Sequence, residues 1–328
     1  MTQKRLDGSH LHQHIINGKK FKFVLITVLL SIIGYFLFTL WAGWSNVVNA
    51  IKQVGFLGIT VALALSMGNY GLRFLRWQYF LKTLGHSVRW APNFRIFMSG
   101  FSLTTTPGKT GEALRGVFLK DYGVPFRKSF GAFLSERTSD LISVTILASA
   151  GLWTYPKARP VLFIVAGLLT FLLFAIRKDS WVCAMENLAK KLFPERFANV
   201  VKFFVETIHS FRCCFTLRVL AATLFLGVAA WTLEAIALRY LLHLLGYNIA
   251  LFTAIFIYGF SLVIGGITLL PGGLGGAEIT MTQLLILQEI PTAVAVAITL
   301  IIRLTSLWFS VFLGMIALPK NKILWQKP

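Results

Sequence analysis

Apolar stretches separated by short basic ones run along almost the whole chain. They fall at about 21–44, 54–72, 94–106, 129–152, 161–176, 217–242, 251–270, 276–287 and 293–318. A helix needs about 20 apolar residues to cross a ~30 Å hydrocarbon core, and most of these segments have that length. The pattern predicts an all-α, polytopic membrane protein with about six to eight crossings. One segment, 94–106, is short for a crossing, and it and 276–287 each adjoin a Pro-Gly break. The breaks read Pro107-Gly108-Lys109-Thr110-Gly111-Glu112 and Pro271-Gly272-Gly273-Leu274-Gly275-Gly276-Ala277-Glu278. Backbone freed by proline and glycine finds no partner in lipid, so such breaks persist only where protein or a wet cavity covers them. Both are therefore expected to be re-entrant hairpins. For the second, two full crossings over 251–270 and 276–287 are the alternative, and either layout leaves the C-terminus on the same side.

Composition agrees with the pattern. Of 328 residues, 56% are hydrophobic and 13% charged, whereas soluble domains carry about 25% charged residues. The formal charge of +20 arises from 32 Lys and Arg against 12 acids. This basic excess sits between apolar segments, as the positive-inside rule produces, and does not form a nucleic-acid surface. The N-terminal tail, the Arg73-Arg76-Lys82-Arg89 run, Lys120-Arg127-Lys128, the 177–218 linker and the C-terminal tail are assigned to the cytoplasm. Residues 45–53, 155–159 and 244–250 are assigned to the opposite side. The chain is expected in a bacterial inner membrane with both termini cytoplasmic. Residues 1–20 form a basic tail, 21–318 one transmembrane domain and 319–328 a second tail.

Within that domain two halves, about 21–152 and 161–318, suggest an inverted repeat, joined by an amphipathic linker at about 177–216. Pro107 lies 30 positions before Arg137 and Pro271 lies 32 before Arg303. The uncharged stretch 23–44 reads as a signal anchor and not as a cleaved signal peptide. The run 181–212 mixes Leu188, Leu192, Phe203 and Phe204 with Lys190, Lys191, Arg196 and Lys202. It is expected on the cytoplasmic membrane surface, held by anionic lipid headgroups, with docking of a partner as the alternative. Cys183, Cys213 and Cys214 all fall in this basic region, where no disulfide is expected.

Candidate chemistry gathers at the breaks. The hydroxyls of Thr104, Thr105 and Thr106 can bond carbonyls that Pro107 leaves unpaired. Thr110 offers an N-cap, and with Lys109 and Arg115 it would hold an anion, phosphate being the natural choice. The competing reading is that Glu112 itself satisfies the helix start. Gly108-Lys109-Thr110 imitates the end of a P-loop, but Leu103 stands where the first glycine belongs. Glu136 and Asp140 share a helix face with Arg137 between them; they form either a structural ion pair, Glu136 with Arg137 or Asp140 with Arg303, or a gate for a headgroup. Glu234 and Glu278 show no local cation in the sequence, and Glu234 is a candidate for proton coupling. His10, His12 and His14 lie in a tail, no Asp-x-Asp pair occurs, and no helix carries a nucleophile with its base. Neither metal nor cofactor nor catalytic residue is expected.

Pro-Gly-Lys-Thr-Gly-Glu-Ala-Leu-Arg (107–115), Ser-Glu-Arg-Thr-Ser-Asp (135–140) and Leu-Pro-Gly-Gly-Leu-Gly-Gly-Ala-Glu (270–278), in this order, resemble the transmembrane region of lysylphosphatidylglycerol synthases, the flippase-like domain family. The likeness spans nearly the whole chain after the N-terminal tail. In two-part members this region flips an aminoacylated phospholipid made by a cytoplasmic transferase domain that follows it. The resemblance implies the lipid-translocating module without the synthase. Its headgroup path would be lined by Lys109, Glu112, Arg115, Glu136, Arg137, Asp140 and Glu278; Thr110 and Arg303 complete the candidate site. The expected activity is movement of a phospholipid or polyprenyl-phosphate-linked lipid between leaflets, and not catalysis. The alternatives are a polyprenyl-diphosphate phosphatase, in which Thr110 would replace the missing nucleophile run, and a scaffold for a lipid-modifying enzyme partner.

Overall fold

The structure, a computed structural model, describes residues 33, 34, 36, 37, 39–177, 198–268 and 270–318; the side chains of 107–110, 198–201 and 271 are outside that description. Most of the N-terminal anchor, the histidine tail, Cys183, most of the surface linker and the C-terminal tail also lie outside the described residues. The described part is helical and contains no strand.

Helix α1, Trp44–Thr83, runs for 40 residues and is broken only at Gly55, whose φ of 65° no helix accepts. Beyond that kink, 56–83 rise about 42 Å, more than a bilayer core. This corrects one expectation: Arg73 and Arg76 are buried inside α1 instead of facing the cytoplasm. Residues 45–53 are helical as well. Charge counting placed them outside because it reads only the linear order; it cannot see that Ser66, Asn69, Tyr70, Arg73 and Arg76 recur on one inward face.

Helix α2, Trp90–Gly100, descends to the first break. The chain turns through 3-10 segments Phe101–Leu103 and Pro107–Leu114, and returns through α3, Arg115–Phe118, and a last turn, Leu119–Tyr122, closed by Gly123 at φ 75°. Outgoing and returning arms pack on each other, as a re-entrant hairpin requires. Helices α4, Phe126–Ser149, and α5, Arg159–Arg177, complete the first part. Then come α6, Ala198–Cys214, and α7, Leu217–Leu244. Helix α8, Leu251–Ile267, leads to the second break, the turn Pro271–Gly273, and α9, Gly276–Ile286, returns along it. Its 11 residues rise only about 16 Å, half the hydrocarbon core, which fits a hairpin and not a crossing. Helix α10, Thr292–Arg303, continues through a π-turn, Leu304–Trp308, into α11, Phe309–Ala317. Among the described residues, Trp44–Thr83, Pro156–Arg177, Leu217–Leu244 and Thr292–Ala317 are long and apolar enough to span a membrane.

Helices α1 and α7 lie antiparallel, with Gly58 against Leu241 and Leu244, Gly68 against Leu233, and Gly227 against Arg76. Two apolar cores result. One joins α7–α10 with α5, the early part of α1 and the late part of α4, around Leu238, Phe256 and Ile298. The other joins the late part of α1 with α2, α3, α6 and the start of α4, around Trp77, Phe97 and Leu119. Residues 136–140 of α4 fall between them, and Arg73 and Arg76 reach these residues from the side of the second core, so charge occupies the seam.

Candidate functional site

The first break shows how proline is accommodated. Pro107 cannot donate to the carbonyl of Leu103, and the Thr106 hydroxyl donates to it at 2.8 Å. The same hydroxyl accepts the N–H of Gly111 at 2.7 Å. Thr106 therefore stands at the start of the returning segment, where Thr110 was expected. The side chains of Lys109 and Thr110 lie outside the described residues. Thr104 donates its hydroxyl to Glu112, so that carboxylate faces the preceding arm and does not cap a helix start. Gly100 lets the arms close: a Cβ there would lie 3.3 Å from the Glu112 carbonyl.

Behind the break lies a buried ionic layer built from α1, α4 and the first hairpin. Asp140 Oδ1 accepts Arg76 Nη2 at 2.5 Å and the indole N–H of Trp231 at 3.1 Å. Its other oxygen lies 3.1 Å from Arg137 and 3.7 Å from Arg73. Glu136 accepts Arg115 and lies 2.9 Å from Arg137, 3.7 Å from Arg73 and 3.9 Å from Arg76. Glu112 joins through Arg137 at 3.5 Å. Aromatic faces hold the guanidinium planes. Arg115 lies 3.9 Å over Trp77, and Arg73 lies 5.0 Å from Phe101 and 5.3 Å from Trp231. Most of the layer is fully buried, and its open edge is Arg137 and Asp140, whose side chains keep 16% and 11% exposure.

The second break carries its own pair. Glu278 sits in the first turn of α9, accepts the Gly275 N–H at 2.7 Å and receives Arg303 Nε at 2.6 Å. Arg303 also donates to the carbonyl of Gly272 at 2.8 Å, which ties the turn to the end of α10. Gly272, Gly273 and Gly275 have φ of 65°, 69° and 86°, conformations that only glycine adopts cheaply. The expectation that Glu278 lacks a cation is thus corrected, and so is the Asp140–Arg303 pair: Asp140 takes Arg76 and Arg137, and Arg303 takes Glu278. Both pairs escaped the sequence because their partners lie on separate helices, Glu278 on α9 with Arg303 on α10, and Asp140 on α4 with Arg76 on α1. In each, the glutamate following a break meets the arginine 25 positions later, Glu112 with Arg137 and Glu278 with Arg303.

The two breaks meet, the turn Pro107–Leu114 packing against Pro271–Gly273. Glu234 is buried, accepts the Ser66 hydroxyl at 3.2 Å, and lies within electrostatic range of Arg73 and Arg303. Of the candidate residues, Glu112, Arg115, Glu136, Arg137 and Asp140 share one cluster, and Glu278 with Arg303 forms the second. Arg73, Arg76, Trp77 and Trp231 belong to the site and were not among the candidates. No group of three or more metal-ligating side chains is present among the described residues.

The stretch that holds both breaks and the ionic layer matches a known family. The family model described as the lysylphosphatidylglycerol synthase TM region matches residues 24–314. The chain belongs to that family. A UPF0104 membrane protein of Pyrococcus horikoshii is 24% identical over 333 residues, covering 93% of this chain and 98% of the relative. One from Methanothermobacter thermautotrophicus is 26% identical, covering 91% and 92%. Another, from Methanocaldococcus jannaschii, is 23% identical, covering 91% and 96%. Membership of the lysylphosphatidylglycerol synthase transmembrane-region family and the apolar helices together identify a multi-pass membrane protein.

Proposed function

We propose that the protein moves a polar-headgroup lipid between leaflets, holding the headgroup at the ionic layer while the hydrocarbon chains stay in the bilayer. The observation that carries this reading is the contact between the two Pro-Gly turns beside buried charge. Intramembrane ionisable groups are costly, and groups of this kind mark substrate paths. Transporters with inverted repeats bind their substrates where broken helices from the two halves face each other. The parallel pairs Glu112 with Arg137 and Glu278 with Arg303 give each break the same internal lock, which suits two gates that open in turn.

The described basic residues support an orientation. Lys82, Arg89, Lys120, Arg127, Lys128 and Arg218 lie at the end formed by the close of α1 and the starts of α2, α4 and α7. Fewer lie at the other end, which includes Lys52, Lys157 and Arg159. The richer end faces the cytoplasm of an inner membrane in this reading.

The test uses purified protein in liposomes carrying fluorescent lipid analogues, with label in the outer leaflet quenched chemically. Protein is expected to expose inner-leaflet label faster than empty vesicles do, and Glu278→Gln is expected to slow this by about tenfold or more. No acceleration for any phospholipid or polyprenyl-phosphate probe, or release of phosphate in its place, overturns the proposal.

A further inference from the structure

Four guanidinium groups, those of Arg73, Arg76, Arg115 and Arg137, meet three carboxylates, Glu112, Glu136 and Asp140. The layer carries one positive charge in excess. Glu278 and Arg303 balance each other, and Glu234 forms no ion pair within 4 Å among the described residues. The donors are in excess as well. Arg73 Nε, Arg76 Nε and Nη1, Arg115 Nε and Nη1, and Arg137 Nε are all buried without a hydrogen-bond acceptor among the described residues, and they outnumber the carboxylate oxygens left without a donor, Glu112 Oε2, Glu136 Oε1 and Asp140 Oδ2. Two of these groups are held in place by what surrounds them. Trp77 fixes the plane of Arg115, and Gly227 forms the wall beside Arg76 Nη1, where a Cβ would come within 2.8 Å.

A ligand that relieves this layer has to bring negative charge and several acceptor oxygens. Carboxylates are already present and leave the donors unmatched. A phosphate group supplies more oxygens around one centre, in the geometry that guanidinium forks grip. An aminoacylated, cationic headgroup would instead add positive charge to a layer already in excess.

We propose that the ionic layer is a phosphate site, in which Arg137 at the open edge and Arg73 just inside it grip the phosphate oxygens while Arg76 and Arg115 stay fixed behind them. Asp140 lies 3.1 Å from Arg137 and 3.7 Å from Arg73, so the phosphate competes with it for both. Arg76, at 2.5 Å, retains Asp140 throughout. This deepens the translocation reading, and rests on it only for the phosphate being carried by a lipid.

The experiment is calorimetric binding to the full-length protein in non-ionic detergent, where no leaflets exist. The probes are dioctanoyl phosphatidic acid, dioctanoylglycerol, which lacks phosphate, and inorganic phosphate. The phosphatidic acid is expected to bind at least about tenfold more tightly than dioctanoylglycerol, and Arg137→Gln to remove about tenfold or more of its affinity. Arg137→Lys should recover part of the loss, because charge without the fork remains. Lys52→Gln, an exposed site on α1, should change nothing. Asp140→Asn removes the competing charge and keeps an oxygen for Trp231, so it is expected to tighten binding, a result that misfolding cannot imitate. Binding of inorganic phosphate with none of the lipid keeps the phosphate site and assigns it to the free ion. Equal affinity for dioctanoylglycerol, or unchanged affinity in both Arg137→Gln and Arg73→Gln, overturns the proposal. Leaflet movement without phosphate preference would sink this proposal and spare the translocation reading; phosphate-dependent binding without leaflet movement would do the reverse.

Discussion

Glu136 has no exposed surface and faces four arginines, with Arg115 bonded to it and Arg137, Arg73 and Arg76 at 2.9, 3.7 and 3.9 Å. Removing it leaves several largely buried cations short of a counter-charge, whereas removing an exposed partner lets solvent take over. Glu136→Ala is therefore expected to destabilise the protein by about 3–5 kcal/mol. Arg127→Ala, whose pair with Glu206 is 30% and 42% exposed, is expected to cost about 0–1 kcal/mol. Thermal denaturation in detergent separates the two, and similar midpoints would show that the layer is hydrated and not dry. Glu136, Arg137 and Asp140 were legible in the sequence because ionised groups within an apolar stretch stand out. Arg73 and Arg76 were not, since they sit beside Lys82 and Arg89 and share the look of a basic loop. The signal that separates them is the helical recurrence of Ser66, Asn69, Tyr70, Arg73 and Arg76, which continues the buried face into the run assigned to the cytoplasm.

At the scale of elements, both breaks were legible because proline and glycine determine backbone chemistry locally. What covers each break was not, because that depends on which helix arrives from elsewhere. Thr106 bonds the Leu103 carbonyl, which Pro107 cannot reach, through its hydroxyl and its N–H, yet Gly55 kinks α1 with no proline to announce it. Close helix approach is likewise invisible in one dimension. A Cβ at Gly314 on α11 would collide with the backbone of Met98, Phe101 and Ser102 in the first hairpin, whereas one at Gly167 on α5 would meet nothing within 4 Å. Small residues let membrane helices pack this tightly. Gly314→Ala is expected to destabilise by about 1–3 kcal/mol, and Gly167→Ala to be neutral or to stabilise by up to about 1 kcal/mol. Equal melting temperatures for the two variants would mean that α11 does not rest on the hairpin.

For the whole molecule, the bias of basic residues toward one end gives a sidedness that labelling can read. With Cys183, Cys213 and Cys214 replaced by alanine, Lys157→Cys is expected to react with an impermeant maleimide on intact cells, and Lys82→Cys only after the membrane is opened. Reaction of both from outside would reverse or dissolve the assigned orientation. The all-α membrane class was legible from segment length alone, and the arrangement of two cores was not, because no local pattern records which stripe faces which. That arrangement has a mechanical consequence. The cores adjoin across Arg76, Asp140 and Glu136, with Ile142 packed on both, so part of the seam resists sliding through a few directional ionic links. Drawn from the bilayer by a force probe, the chain is expected to yield in two separate ruptures, one for each apolar body, with the first step weakened in Glu136→Ala.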